Sequence, residues 1–164
     1  MNTDLANVNS SADVNKQPKT GGRLKTSRRS ARIMMMQSLY CYQLNKSSLQ
    51  DILHYIQQLY VHDKYRYYFK LVPDMDFVNS NLSYAINNFD KMLDLYRNFS
   101  FRKIEQINYI EKAILVVAAT EMYNTKTDAK VIINEAIEVA KSYGGSDSYI
   151  FINSVLHKLS VNCK

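Results

Sequence analysis

Cysteine, proline and glycine are all scarce in this 164-residue chain, which has two, two and four of them. Cys41 and Cys163 lie far apart and in no metal-ligand or redox spacing, so reduced thiols in a cytoplasm are expected rather than a disulfide framework or a zinc site. The strong helix breakers fall at Pro18, Gly21, Gly22, Pro73, Gly144 and Gly145, leaving long uninterrupted stretches between them. That distribution predicts an all-α domain. Long apolar runs are also missing: the longest, Ala113 to Ala119, is far below the roughly 20 residues a bilayer-spanning helix needs. The N-terminus is polar and has no apolar signal region, so a soluble, non-secreted protein is expected.

Catalytic patterns are lacking too. His54, His62 and His157 form no pair at helical ligand spacing, no glycine-rich phosphate loop is present, and no serine or cysteine occupies a nucleophile motif. Glu135 and Glu138 share a helix face, but with Lys141 following they read as a solvated charge ladder. Neither an enzyme nor a metal or cofactor site is expected.

What is present is a lopsided charge. Residues 1–32 contain Lys16, Lys19, Arg23, Lys25, Arg28, Arg29 and Arg32 against Asp4 and Asp13, a net +5 of the chain's +6. Residues 1–26 are polar, aperiodic and rich in breakers, so they read as a disordered basic tail preceding one domain over 27–164. Arg28, Arg29 and Arg32 crowd the first turns of a helix, where the dipole disfavours cations. At 100° per residue they fit within an arc of about 100° and can meet one anionic ligand. Nucleic acid is the expected partner, against the plainer reading of a solubilising tail.

Periodicity predicts six helices. The first runs from Arg28 to Asn45 with Ser27 as N-cap, and the second carries Leu49, Ile52, Leu53, Ile56 and Leu59 behind a Ser48/Asp51 capping box. A third is predicted from Asp76 to Tyr96 and a fourth from Phe101 to Asn124, apolar nearly all round in its second half and so central to a bundle. The fifth starts at Thr127 or Asp128 and stops at Gly144 in a left-handed C′ position; the sixth opens at Ser146 or Asp147 and ends near Leu159. In the sixth, Asp147, Phe151, Ser154 and Lys158 form one stripe, opposite Ile152, Val155, Leu156 and Leu159. Phe151 is then either a ring for stacking on an unpaired base or a margin residue of the core. The basic and aromatic stretch Lys64 to Lys70 has the composition of a nucleic-acid surface, but aromatics in a long connection more often plug a seam, and that reading is preferred. Met34, Met35 and Met36 read as core filler.

Three motifs in order resemble the NusB family of bacterial antitermination factors. They are R-R-S-A-R at Arg28–Arg32, followed by Gln37, Leu39, Tyr40 and Gln43; I-E-K-A-I-L at Ile110–Leu115, with Glu121 after it; and I-N-E-A-I-E-V-A-K-S-Y-G-G-S-D-S at Ile133–Ser148, continued by F-I-N-S-V-L at Phe151–Leu156. The resemblance implies an all-α fold of two small packed helical bundles. It also implies an RNA-binding adaptor that recognises boxA RNA of ribosomal RNA operons together with NusE, a small-subunit ribosomal protein, alongside other Nus factors and RNA polymerase. Carried over by motif, Arg28, Arg29, Arg32, Tyr40, Asp147 and Phe151 would contact RNA, and Glu111 would face the protein partner. Departures from the family pattern are Ile150 where a basic residue is usual, Ser154 for glycine, Ala129 for proline, a longer connection from His62 to Met75, and the extended tail. Competing readings are a helical protein-interaction or ribosome-assembly module, and an orphan relative of the N-terminal domain of ribosomal RNA cytosine methyltransferases.

Overall fold

The computed structural model describes residues 26–61 and 72–162, so the basic tail before Thr26 and the Lys64 to Lys70 stretch lie outside the described residues. The described chain is all-α apart from a two-residue parallel bridge. In order, its elements are β1 (Thr26–Ser27), α1 (Arg28–Asn45), α2 (Leu49–Val61), β2 (Val72–Pro73), α3 (Met75–Asn87), α4 (Phe89–Asp94), a 3-10 turn (Ile104–Gln106), α5 (Tyr109–Asn124), α6 (Ala129–Tyr143) and α7 (Ser148–Asn162).

The helix starts follow side-chain chemistry. Ser27 Oγ accepts from the Ser30 amide at 3.1 Å, and Asp51 and Ser48 exchange hydrogen bonds across the predicted capping box of α2. Pairing of Thr26 with Val72 and Ser27 with Pro73 then ties the entry of α1 to the entry of α3, a bridge that no periodicity announces.

α5 is the axis of the fold. Every residue from Ala113 to Glu121 is buried, and α1, α3 and α4 on the one hand and α6 and α7 on the other all pack against it. Two small bundles therefore share one central helix, joined in one hydrophobic core that includes Met34, Met35, Met36, Leu39, Leu82, Leu115, Ile132 and Leu156. The methionine run fills core space, as its composition suggests. Buried Tyr96 donates from its hydroxyl to the Leu115 carbonyl at 2.6 Å, which locks the chain after α4 onto the middle of α5.

Three sequence expectations are corrected. The predicted third helix is two, because Asn88 leaves helical geometry (φ −119°, ψ 21°) while its side-chain amide donates back to the Tyr84 carbonyl. Short amide side chains compete with the helix in this way. The fourth helix begins at Tyr109 rather than Phe101, since Asn108 and Glu111 form a capping box. Gly144 is not left-handed but extended (φ −86°, ψ 178°); a Cβ there would lie 2.6 Å from Ser148 Cβ and 2.7 Å from the Ala140 carbonyl oxygen. The glycine is required by close approach of α6 to α7, not by its backbone angle.

Candidate nucleic-acid interface

The three arginines of α1 do converge, and each already has a carboxylate. Arg28 Nε donates to Asp74 Oδ2 at 2.7 Å, and its guanidinium lies 4.6 Å from the Phe77 ring centroid. Asp74 is held for this by its own work as N-cap of α3, where it accepts from the Phe77 amide at 3.1 Å. Arg29 grips Glu135 through Nε and Nη2 at 2.9 and 2.7 Å. Arg32 makes the same two-pronged contact with Glu121 at 2.8 and 2.7 Å and reaches Glu135 at 3.3 Å. The anion that the helix-start arginines call for is thus first of all internal. Glu135 belongs to this network and not to the surface ladder expected of it; Glu138 and Lys141 form that ladder alone, at 2.8 Å.

Burial separates the three. Arg32 is only 8% exposed and sits over a Glu121 that is almost wholly buried, whereas the side chains of Arg28 and Arg29 are each 54% exposed. A guanidinium has five N–H donors. Arg28 uses one on Asp74 and Arg29 two on Glu135, so both keep donors for an outside oxygen. Arg32 stays charged: burial works against it, but the bond and charge of Glu121, then Glu135, outweigh that and raise its pKa. The carboxylates respond in kind. Asp74 is held below the usual range, first by the Phe77 amide and then by Arg28; Glu135 is lowered first by its hydrogen bonds to Arg29.

Tyr40 lies about 12 Å further along α1 than Arg32. It is half-buried and lines an open cleft of about 790 Å³ with Gln37, Cys41, Tyr55 and Tyr143. Cys41 is a free, exposed thiol.

The remaining candidates meet at a second corner, between the start of α5 and the start of α7. Glu111, expected to face a protein partner, is instead 2% exposed. Its carboxylate accepts from Arg102 Nη1 at 3.1 Å and Ser148 Oγ at 2.8 Å, while Ser148 Oγ accepts from the Gly145 amide at 2.9 Å. A buried carboxylate so fully partnered organises its neighbours and presents no oxygen to a partner. Arg102 in turn lays its guanidinium over the Phe151 ring, 3.8 Å from the centroid. Phe151 is half-buried against the core, so the margin position is observed, with a cation on one face of the ring. Asp147 is exposed and its carbonyl accepts from the Ile150 and Phe151 amides, opening α7.

Asp74, Glu121, Glu135, Arg102 and Ser148 were not singled out as site residues from sequence. Glu111 and Glu121 did carry a signal: a glutamate inside a helix apolar all round has to find a cationic partner. Arg102 carried none, because its distance from Glu111 spans a turn with no fixed period. Among the described residues no helix is long and apolar enough to cross a membrane, and no group of three or more His, Cys, Asp or Glu is placed to hold a metal.

Residues 29–160 match the sequence model of the NusB family. Transcription antitermination protein NusB of Aromatoleum aromaticum is 36% identical over 141 residues, covering 85% of this chain and 92% of that protein. The protein of the same name from Pectobacterium carotovorum is 36% identical over 133 residues, covering 80% and 89%. Among solved structures, T. maritima NusB superposes with a TM-score of 0.70 at 21% identity, over 84% of this chain and 93% of that one. That likeness shows the all-α fold.

Proposed function

Since the chain belongs to the NusB family of transcription antitermination proteins, we propose that it is the RNA-binding adaptor of an antitermination complex, engaging boxA-type single-stranded RNA together with NusE. Other Nus factors and RNA polymerase complete the assembly. The observation that carries the reading is the half-exposed pair Arg28 and Arg29, aimed by Asp74 and Glu135 and left with unused donors. Guanidinium is suited to two-pronged phosphate binding, and a carboxylate behind it fixes its plane before the RNA arrives. Arg32 is a positioning residue in this scheme: its buried bond to Glu121 anchors the turn from which Arg28 and Arg29 project. Phe151 and Asp147 line the RNA path at the start of α7, and Tyr40 extends it along α1. Glu111 shapes the surface offered to NusE through Arg102 and Ser148 rather than touching it.

Weak binding to RNA alone is expected. Two phosphate contacts give a slope of only about −1.4 in log K against log salt on a single strand, and each must compete with a resident carboxylate. The test is fluorescence anisotropy of labelled boxA RNA and a scrambled control, with and without NusE, for the wild type and for Arg28→Ala with Arg29→Ala. The expected result is boxA-selective binding that NusE tightens and the double substitution weakens at least tenfold. Unchanged affinity for both RNA and NusE in that variant would favour a protein-interaction module instead.

A further inference from the structure

The most exposed of the large hydrophobic side chains described is not one the motifs pointed to. Phe101 is 90% exposed, at the tip of the turn that leads into α5. Lys158 Nζ stands 4.1 Å from its ring centroid and donates to the Phe99 carbonyl at 3.3 Å, which ties the end of α7 to this turn. Lys158 makes no ion pair among the described residues, and an ammonium has three donors, so two remain open. The next residue, Arg102, covers Phe151 as Lys158 covers Phe101. The corner therefore holds two aromatic rings, each under a cation, and the helical residues that mark them, Phe151 and Lys158, are about 10 Å apart along α7.

From this geometry we infer that the corner is a second single-stranded RNA contact: a base stacks on the open face of Phe101 while Lys158 holds an adjoining phosphate. It rests on the RNA-binding reading above and extends the path at Phe151 and Asp147 to two residues that reading leaves unassigned, Phe101 and Lys158. The chemistry favours RNA over a protein surface because the ring is followed in sequence by Arg102 and has the Lys158 ammonium 4.1 Å from its centroid, cations that an apolar protein contact would have to desolvate. An aromatic platform with a cation beside it accepts any base, since every base has a π-face. It also selects unpaired bases, because those of a duplex are already stacked. Arg102 adds no free charge, being paired with Glu111, so Lys158 is the cation that reads the phosphate.

The chain contains no tryptophan. Phe101→Trp in the full chain therefore creates a unique fluorophore at the inferred contact. Titration with a single-stranded boxA RNA of about 12 nucleotides, within the usual size range of such sites, should quench its emission in parallel with anisotropy, and the same sequence as a duplex should quench it far less. Phe101→Ala should weaken binding about tenfold with an unchanged salt slope, and Lys158→Gln about threefold with a slope shallower by about 0.7. Both side chains lie at the surface, and matching thermal melts would show that the fold is kept. RNA binding that stays intact in Phe101→Ala, with no quenching in Phe101→Trp, overturns the inference while leaving the role of Arg28 and Arg29 in place. Quenching by NusE but not by RNA would also overturn it and assign the corner to protein. Failure of the wild type to bind any RNA, with or without NusE, overturns the RNA-binding reading itself.

Discussion

Two corners of this molecule are built on the same device and put it to opposite use. At each, a buried glutamate of α5 stands under an arginine: Glu121 under Arg32, and Glu111, about 15 Å away along the same helix, under Arg102. At the α1 corner the cation and anion are both sealed in, and two further arginines ride above them, each with its own carboxylate. At the α7 corner the arginine is partly open and shields an aromatic ring, and Lys158 beside it has no acidic partner among the described residues. The first corner is rich in charge but locally neutralised; the second is poor in charge but rich in exposed aromatic surface. A count of arginines thus overstates the net attraction of the first, and a count of charges overlooks the second.

The comparison breaks most sharply at Glu121. Glu121→Ala leaves buried Arg32 only its longer contact to Glu135, at 3.3 Å, and should cost about 3 kcal/mol of stability in urea or thermal unfolding, the low end for a broken buried pair. Replacing Arg32 with Met and Glu121 with Leu together should restore most of that loss, because well-packed apolar pairs match buried ion pairs in stability. Glu111→Ala should cost less, about 1–3 kcal/mol, since Arg102 can turn to water but Ser148 and the Asn108 amide lose an acceptor. If the two glutamates prove equal, the distinction between a sealed and an open pair fails.

The resident carboxylates supply the next test. Asp74→Asn keeps the N-cap of α3, because asparagine caps as well as aspartate, yet removes the anion that competes with RNA for Arg28. Affinity for boxA RNA should rise severalfold with stability altered by less than about 1 kcal/mol. A fall in affinity would mean that Asp74 matters for aiming Arg28 more than it competes.

The smallest effect expected is on acid stability. Asp74 and Glu135 titrate below their ordinary ranges in the folded state, so their contribution is present above the unfolded pKa of about 4 and is lost as pH falls through the lower folded values. Urea midpoints measured between about pH 5 and 2.5 should decline less steeply in Glu135→Gln than in the wild type. Identical slopes would remove the Arg29–Glu135 pair from the account of stability.

Much of this architecture is legible in the sequence. The Ser27 cap, the Ser48/Asp51 box, the apolar circumference of α5 and the motif order Arg28–Arg32, Ile110–Leu115, Ile133–Ser148 depend on residues near one another in sequence, where helical spacing and capping chemistry act. By themselves they determined an all-α chain, the starts of α1 and α2, the central place of α5 and the family. The carboxylates beneath the arginines join residues 46 to 106 positions apart, and the cations over Phe151 and Phe101 come from a turn and a helix that meet only on packing. Electrostatic partnership depends on distance through space, and no local period encodes it. Only the tertiary structure decided which arginine is a buried strut, which glutamate is enclosed by Arg102 and Ser148, and which aromatic ring stands open.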